Sequence, residues 1–593
     1  MKKGQITILF FLFGITAGAL CGIIPTACSV SAQRYWETGM YVLIAEHAVR
    51  HLLTWMSIGG IVFAVCGLIV AAGARKSVAV RTAGAVGAVA LLCAAAVLLG
   101  PRLKPVSAAC ASGFLVLPCV VLFVPHVWPW LRGRRTAVVA AALCCLLVLL
   151  TASGWLAIRR MNDRQEGPSF ILIVIDCLRP DHLGCHGYTR DTSPTIDALA
   201  RVGRNYKRAY AASSWTKPSV ASLFSSLLPA GHGLVNPDQS APDQLLLFAE
   251  VLRNAGYKNF FINGGNVFLK KDFNLHQGFH SYDYLPQSTR SAADLTKTVL
   301  ARIAGIGGDK FFAYLHYMDA HAPYTLNSHN TRYAAKIIEP YVPGNPATQL
   351  NDLRGLDSVS PELRQYFRDL YDGQIRFVDD AIRDLLQGLK LLGRRDNTVF
   401  IITADHGEEF WDHGSTEHGH SMYNELLQVP LIIAGSTIGR QRIDEPVSLI
   451  DVMPTLLDIA EITRDRLNLQ GGSLMPGSGA LASNRVLYAS GTLYGPEAYC
   501  LMQNAQKLIY RSRDEQGKWR LNGPQSPAGY QLFDLDRDPE EQNNRAAIEG
   551  VPPAFEGQLL DYMRTVPRAV SPQSVHVGGE EMRRQLESLG YVQ

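Results

Sequence analysis

The chain has 593 residues, of which 47% are hydrophobic and 18% are charged, and its formal net charge at pH 7 is +4. This length allows at least two domains, and so small a net charge on so long a chain gives no support to nucleic acid as a partner. The apolar residues are unevenly distributed. Residues 1–160 are strongly hydrophobic and almost free of acids, whereas the remainder has the composition of an ordinary water-soluble domain.

Five apolar stretches within residues 1–160 are long enough to cross a lipid bilayer as helices. Buried helices of a globular protein are the alternative, but five successive uncharged runs are typical of membrane proteins. We therefore predict an α-helical membrane domain over residues 1–160 with about five transmembrane helices, followed by a polar linker at 161–168. The predicted spans are residues 5–25, 55–74, 82–100, 106–128 and 137–158.

The first stretch has a second interpretation as a cleaved signal peptide, because Lys2 and Lys3 precede it and the small residues "SVSA" follow at 29–32. Four spans would then remain. Both versions leave the part after the linker outside the cytoplasm. We therefore predict a multi-pass protein of the inner (cytoplasmic) membrane, with the lipid bilayer as a partner and with its second domain in the periplasm or outside the cell.

Beyond the linker, short apolar runs rich in β-branched residues alternate with amphipathic helical patterns such as "FVDDAIRDLLQGLK". Such alternation predicts a mainly parallel sheet covered by helices, with the working residues at the carboxyl ends of the strands. The predicted strands are "FILIVID" at 170–176, "NFFIN" at 259–263, "FFAYLHYMD" at 311–319, "TVFIITADHG" at 398–407 and "VPLIIAG" at 429–435.

Three of these strands end in acids and histidines. A single acid or histidine at a strand end is usually structural, but three such ends meeting at one edge of a sheet supply the carboxylate and imidazole ligands of a divalent cation. We therefore predict a metal site. The residues concerned are Asp176 on the first strand, His316, Asp319 and His321 on the third, and Asp405 and His406 on the fourth.

A threonine marks the start of another predicted helix, in "SSWTKPSVASL" at 213–223. Thr216 is a residue type that often caps a helix, and Pro218 suits a first helical turn. Taken alone, this stretch predicts a capped helix and no chemistry.

Several longer motifs change that interpretation. They include "ILIVIDCLRPDHLGCHGY", "PSVASLFSSLLPAGHG", "FFAYLHYMDAHAPY", "ITADHGEEFWDHG" and "YQLFDLDRDPEEQNN", and they occur in this order. Residues 168–593 thereby resemble the sulfatase family of the alkaline phosphatase superfamily. The resemblance implies an α/β core over 169–489 with a mainly parallel sheet and a smaller C-terminal subdomain over 490–593.

The resemblance also implies one divalent metal ion, Mn, Zn, Ca or Mg, and a covalent intermediate on the residue that opens the helix, here Thr216. The family's metal ligands correspond to Asp176, Asp405 and His406, with the Thr216 oxygen as the fourth. His321 corresponds to the histidine that contacts the transferred group or the leaving group. His418 or His420 lies where sulfatases use a lysine, and the spacing leaves this choice open.

The sequence departs from the family at three positions. Sulfatases carry a Cys/Ser-x-Pro-x-Arg pattern whose first residue is oxidised to formylglycine, but this chain has Thr216 in place of the first residue and Val220 in place of the arginine. Cys177 stands where many sulfatases have a second acid, which favours a single ion. A second ion that uses His316 or Asp319 is the alternative.

A threonine nucleophile behind a multi-span anchor also resembles the lipid A phosphoethanolamine transferases and the lipoteichoic acid synthases. We expect a membrane-anchored, metal-dependent enzyme that cleaves or transfers a phosphoester, or less readily a sulfoester, through Thr216, with hydrolysis slightly favoured. Its substrate can be a lipid or a glycan. The alternatives are a transferase that modifies a lipid or glycan of the cell envelope and a catalytically inactive membrane protein that binds such a group.

Overall fold

The computed structural model divides the chain into two compact units, and the second comprises Gly167–Gln593. No helix among the described residues has the length and apolar character needed to cross a membrane. The predicted membrane domain lies outside the described residues, so its spans stay predictions. The structure describes residues 167–285, 291–324, 329–334, 337–341, 350–353, 359–465, 467–478, 482, 484–512, 529–565 and 571–574.

The described strands form one large sheet, one four-stranded sheet and two short ribbons. In chain order they are β1 (Ser169–Ile175), β2 (Arg204–Tyr210), β3 (Gln239–Ser240), β4 (Lys258–Asn263), β5 (Ser281–Tyr284), β6 (Phe311–Tyr317), β7 (Thr398–Thr403), β8 (Glu409–Phe410), β9 (Thr416–Glu417), β10 (Gln428–Ala434), β11 (Gln441–Ile443), β12 (Val447–Ser448), β13 (Leu487–Ser490), β14 (Ala498–Gln503), β15 (Gln506–Arg511), β16 (Gly529–Asp534) and β17 (Gln573–Ser574).

The large sheet has the order β11-β2-β10-β7-β1-β6-β4-β5, and β12 also pairs with β2. Strands β7, β1, β6, β4 and β5 pair in parallel, whereas β10 is antiparallel to both β7 and β2. Strand β10 is therefore antiparallel to the other described strands of this sheet. The predicted mainly parallel sheet is confirmed. Because β10 reverses direction, β2 is again aligned with β7, and its carboxyl end reaches the same edge as those of β1, β6 and β7.

The described helices pack on this sheet in two groups. Helices α1 and α5 both contact α7, and α2 contacts α4 and α9. The described α-helices are α1 (Pro194–Val202), α2 (Thr216–Ser225), α3 (Pro229–His232), α4 (Phe248–Asn254), α5 (Ala292–Gly305), α6 (Asn330–Tyr333), α7 (Pro361–Leu391), α8 (Asn424–Leu427), α9 (Val452–Ile459), α10 (Ala546–Glu549) and α11 (Pro553–Thr565). Short 3-10 turns lie at Pro180–His182, Gly184–His186, Val267–Leu269, Lys271–Phe273, Leu350–Leu353 and Leu449–Asp451.

Helix α7 shows how the sequence fixes this packing. Ser360 caps it by accepting a hydrogen bond from the Leu363 N–H, and Pro361 occupies its first turn. Its predicted apolar face is buried at Val378, Ile382, Leu385 and Leu389, whereas Leu386 is only half-buried. From the same helix Asp379 accepts hydrogen bonds from the N–H groups of Thr195 and Ile196, at distances of 2.8–3.0 Å. A side chain of α7 thereby satisfies the orphan donors at the start of α1.

The four-stranded sheet β13-β14-β15-β16 is antiparallel and packs on the segment that precedes β10. Tyr423 and Met422 share an apolar cluster with Cys500 and Phe533. A buried ion pair adds to this contact, since Lys507 Nζ lies 2.7 Å from Glu541 Oε1 and both side chains are fully buried. Asn424 connects this ion pair to the segment before β10, because its N–H donates to Glu541 and its Oδ1 accepts from Lys507. The small sheet therefore fixes the chain segment that follows residue 420.

We expect Lys507→Met to lower the free energy of unfolding by about 3–5 kcal/mol, because it leaves the Glu541 carboxylate buried without its cation. The double variant Lys507→Met with Glu541→Gln removes both charges and should recover most of that loss. Denaturant unfolding of the full chain and both variants measures this. A single variant as stable as the parent would contradict the coupling.

Candidate active site

Three parallel strands at the centre of the sheet deliver the predicted metal ligands. β1 lies between β6 and β7, and Val174 is in register with both His316 and Thr403. Asp176 directly follows β1, whereas Asp405 follows β7 by two residues, and all of these side chains are buried. The convergence that the sequence predicted at this edge is present in the structure.

Thr216 reaches the same point from β2 through a short buried loop. Helix α2 begins at Thr216 itself, its N-cap residue is Trp215, and no side chain caps the helix. The interpretation of Thr216 as a structural cap is therefore wrong. Its Oγ1 lies 3.3 Å from His406 Nε2 and 3.2 Å from Asn266 Nδ2, so the hydroxyl faces the cluster of acids and histidines.

Asp176 is the most heavily contacted acid of the cluster. Its Oδ2 lies 2.9 Å from His316 Nε2 and 2.8 Å from Asn266 Nδ2, and the Cys177 thiol donates to Oδ1 at 3.2 Å. Burial by itself would raise the pKa of Asp176. The hydrogen bond from His316 and the nearby imidazoles of His321 and His406 outweigh burial and hold that pKa well below its usual range. Asp176 is therefore a carboxylate that attracts positive charge.

Asp405 and His406 present unsatisfied lone pairs to the same space. The His406 Nδ1–H donates to the Gly407 carbonyl at 2.9 Å, so Nε2 carries the lone pair that points toward Thr216. Asp405 Oδ2 lies 3.4 Å from that nitrogen and receives no hydrogen bond from any described residue. Burial, with the negative charge of Asp176 in addition, raises the pKa of Asp405.

The absence of a side chain at Gly407 lets the segment after Asp405 and His406 pass close to the backbone of Glu425. A Cβ atom on Gly407 would lie 2.0 Å from the Glu425 carbonyl oxygen, so a side chain there would displace one of the two segments. Ser219 of α2 donates to the Asp405 carbonyl at 2.5 Å, which ties the start of α2 to the end of β7. Helix α2, which begins at Thr216, is thus joined directly to the segment that carries Asp405.

The donor set fits a divalent ion. Two buried carboxylates lie close together, one of their oxygens lacks a donor among the described residues, and an imidazole lone pair faces them. The ligating atoms of Asp176, His316 and Asp405 all lie within 4.8 Å of one another. The ligands that the family resemblance implies, Asp176, Asp405, His406 and Thr216, would hold such an ion, and this assignment stays a prediction.

Two more histidines, His321 and His418, lie beside the cluster. The His418 ring centroid lies 4.3 Å from that of His406 and 5.0 Å from that of His321. His418 Nδ1 lies 3.0 Å from Glu408 Oε1, and the His321 Nδ1 contacts the Ala322 carbonyl. Both imidazoles therefore lie close to His406, where they can hold an anionic group or supply a proton.

The structure separates the two histidines that the sequence left open. His420 Nε2 contacts Glu409 Oε2 at 2.7 Å, and Glu409 in turn accepts from the backbone of His413 and Ser415. None of the described hydrogen bonds or ring contacts joins His420 to the cluster around Asp176. The geometry therefore favours His418 over His420 for the role that the family gives to a lysine.

Asp319, His232 and Lys217 lie outside the cluster. Asp319 accepts from the Ala292 N–H, and His232 bridges Ser222 and the Leu234 N–H. The Lys217 ammonium is buried, donates to the carbonyls of residues 236, 237 and 239, and stacks over Phe273 at 3.7 Å. It therefore anchors a loop.

Sequence reasoning missed Asn266. Its Nδ2 contacts both Asp176 and Thr216, and its Oδ1 accepts from the Phe268 N–H at 3.0 Å. It follows β4, whose end lies beside β6. The stretch "NGGN" at the end of a predicted strand could have indicated that an amide lies at this edge of the sheet. Only acids and histidines were considered as site residues, so Asn266 was not predicted.

We expect His418→Gln to reduce turnover by about 100-fold or more, because it removes a group that contacts the reacting atoms or moves a proton. His420→Gln is the matched control and should retain activity within about a few-fold, since His420 contacts Glu409 instead. Steady-state kinetics of both variants decides between them. Equal losses, or a larger loss in the His420 variant, would contradict this placement.

Comparison with known proteins agrees with the geometry. The family model described as Sulfatase matches residues 168–462. The "Uncharacterized sulfatase YidJ" of Escherichia coli K12 is 23% identical over 366 residues, covering 54% of this chain and 71% of that protein.

Solved structures share the fold. A putative sulfatase from Bacteroides thetaiotaomicron superposes with a TM-score of 0.54 at 17% identity, covering 70% of this chain and 96% of that one. The phosphonate monoester hydrolase of Agrobacterium radiobacter superposes with a TM-score of 0.51 at 18% identity, covering 67% of this chain and 94% of that one.

Proposed function

We propose that the protein acts on phosphoesters through a covalent ester on Thr216. The premise is that residues 168–462 match the sulfatase family and that the protein is a sulfuric or phosphoric ester hydrolase. The observation that carries this proposal is the position of the Thr216 hydroxyl. It opens helix α2 without capping it and instead lies between His406 and Asn266.

The surroundings of Thr216 suit attack on an anionic group. Helix α2 begins at Thr216, so the hydroxyl lies at the positive end of the helix dipole, which favours an anionic group. Asp176, Asp405 and His406 would hold a divalent ion, whose positive charge would lower the proton affinity of this hydroxyl. Asn266 Nδ2, which donates to Oγ1, favours the same oxygen as it loses its proton.

The covalent step then balances as follows. His321 or His418 accepts the proton of the Thr216 hydroxyl as its oxygen forms a bond to phosphorus, and passes that proton to the leaving alcohol as the bond from phosphorus to that alcohol breaks. In the second half-reaction the histidine accepts a proton from the water that attacks phosphorus and returns it to the Thr216 oxygen as the ester breaks, which releases phosphate. The rings of His321 and His418 lie 5.0 Å apart, and that of His418 lies 4.3 Å from His406, so either histidine is a candidate for both half-reactions.

Threonine favours phosphorus over sulfur. A formylglycine hydrate carries a second hydroxyl that can expel sulfate by elimination, whereas a threonine ester must be broken by direct attack. Phosphoryl groups undergo in-line attack at a metal centre readily. The fold also serves phosphorus chemistry in the phosphonate monoester hydrolase of A. radiobacter, although that likeness concerns the fold alone.

We expect Thr216→Ala to reduce turnover by about 1,000-fold or more while lowering the free energy of unfolding by only about 1 kcal/mol, the worth of its hydrogen bonds. Thr216→Ser keeps a hydroxyl and should retain part of the activity, whereas Thr216→Cys offers a softer ligand and should be poor. Kinetics and thermal unfolding of the three variants measure this series. An alanine variant that works at near the parent rate would exclude the covalent route.

We also propose that residues 1–160 anchor the enzyme in the cytoplasmic membrane and that the sulfatase domain lies in the periplasm or outside the cell. Support comes from the five apolar stretches and from the fact that both interpretations of residues 5–25 leave the domain on that side. Such an anchor holds the site near lipid-linked esters. If the acceptor is a lipid or a glycan instead of water, the same intermediate makes the protein a transferase.

We expect a reporter that is active only outside the cytoplasm to work when it is fused after Gln593, and a reporter that is active only inside to fail. The paired fusions control for expression. Activity of the cytoplasmic reporter alone would contradict the proposed topology.

A further inference from the structure

We infer that Lys217 is a positioning residue, whose ammonium group holds the Asn266 amide against the Thr216 oxygen. This inference rests on the proposed function, in which Thr216 is the nucleophile and Asn266 donates to its oxygen. Lys217 itself points away from the reacting atoms and acts through those two residues. Three features carry the inference: the burial of the ammonium, the loop that it binds and a closed ring of contacts around Thr216.

The Lys217 side chain is buried in surroundings that do not simply need filling. It is 1% exposed, and its described partners are backbone carbonyls and aromatic rings instead of a carboxylate. Burial of a charged group is unfavourable unless its partners compensate the lost water. A methionine of similar length would fill the same space without this penalty. The ammonium therefore has a role that an apolar side chain does not provide.

The ammonium binds a loop that is closed on itself. Lys217 Nζ donates to the carbonyls of residues 236, 237 and 239, and three acceptors match the three N–H groups of an ammonium. Gln239 Oε1 accepts from the N–H groups of Val235 and Asn236, both at 2.8 Å. Strand β3, which begins at Gln239, pairs in turn with β17. The loop is therefore a firm support for the start of α2, which carries both Thr216 and Lys217.

The contacts around Thr216 form a closed ring through Phe268. The Phe268 ring centroid lies 5.3 Å from that of Trp215 and 5.3 Å from Lys217 Nζ, so Phe268 packs on both chain neighbours of the threonine. The Phe268 N–H donates to Asn266 Oδ1 at 3.0 Å. Asn266 Nδ2 is thereby directed to Thr216 Oγ1, at 3.2 Å. A shift of the ammonium therefore reaches the Thr216 oxygen by two routes, along the chain and through Phe268 and Asn266.

Phe273 completes the surroundings of the ammonium. Lys217 Nζ lies 3.7 Å from the centroid of its ring, which is a close cation–π contact. The Phe273 carbonyl accepts from the Ala241 N–H at 3.0 Å, so this ring is attached to the chain that follows β3. Phe273 therefore contributes to the position of the ammonium and can be changed without altering Lys217 itself.

The first test replaces the ammonium with an apolar side chain of similar length. Lys217→Met should lower kcat for p-nitrophenyl phosphate by about 10- to 100-fold, because a displacement of about 1 Å at a reacting group has an effect of this order. KM should stay within about twofold, since Lys217 lies away from the substrate. Lys507→Met is the matched control, because it removes another fully buried ammonium and should lower stability without lowering the kcat of folded protein. An unchanged kcat in Lys217→Met, or equal losses in both variants, would overturn the inference.

A double-variant cycle tests whether Lys217 acts through Asn266. In a background of Asn266→Ala, Lys217→Met should lower kcat by no more than about twofold, because the contact that it positions is already absent. A residue that only stabilises the fold would lower kcat by the same factor in both backgrounds. Equal factors would therefore contradict a positioning role.

Phe273→Leu carries the test if Lys217→Met does not fold. It keeps the ammonium and most of the apolar volume but removes the face of the ring, so kcat should fall by about two- to fivefold. This fall should again disappear in the Asn266→Ala background. A Phe273→Leu protein with the kcat of the parent, or an equal fall in both backgrounds, would count against the inference.

Amide hydrogen exchange of the full-length protein separates this inference from the proposed function, because it requires no turnover. Lys217→Met should exchange faster than the parent in peptides that cover residues 263–268, whereas Lys507→Met should not. If the parent fails to hydrolyse the ester, the proposed function is contradicted and exchange alone decides. Faster exchange at 263–268 then supports the hold of Lys217 on the Asn266 turn, and unchanged exchange overturns it.

Discussion

Two buried carboxylates held side by side are the constraint on which the rest of this site depends. Asp176 and Asp405 follow the neighbouring parallel strands β1 and β7, so the sheet itself fixes their separation. Each is fully buried, and each raises the energy of the other's charge. The two negative charges must be compensated. His316, His406 and Asn266 lie around the carboxylates, and the proposed ion would add positive charge there.

The position of Thr216, the proposed nucleophile, depends on the same sheet. β2 is restored to the common strand direction by the antiparallel β10, and its following loop therefore brings Thr216 to the carboxylates. The hydroxyl does not cap α2 as its sequence position suggested, and it contacts His406 and Asn266. A threonine there can be both a ligand of the ion and the attacking group.

Much of this arrangement could be predicted from sequence because it lies in local patterns. The strands that end in Asp176 and Asp405 are continuous apolar runs, and the mainly parallel sheet follows from their alternation with helices. The reversal of β10 could not be predicted, since a run such as "VPLIIAG" has the same composition in either direction. Asn266 and the choice of His418 over His420 depend on tertiary contacts, including the hold of the small C-terminal sheet on the segment after residue 420.

The central claim is that the Thr216 oxygen carries the phosphoryl group as a covalent ester during turnover. The most direct measurement is mass spectrometry of the protein, intact and after digestion, following a rapid acid quench during turnover of a phosphomonoester. The account predicts a phosphoryl adduct on the peptide that contains Thr216, absent from the same peptide of Thr216→Ala. Full turnover with an unmodified Thr216 peptide, or an adduct on another residue, would contradict it.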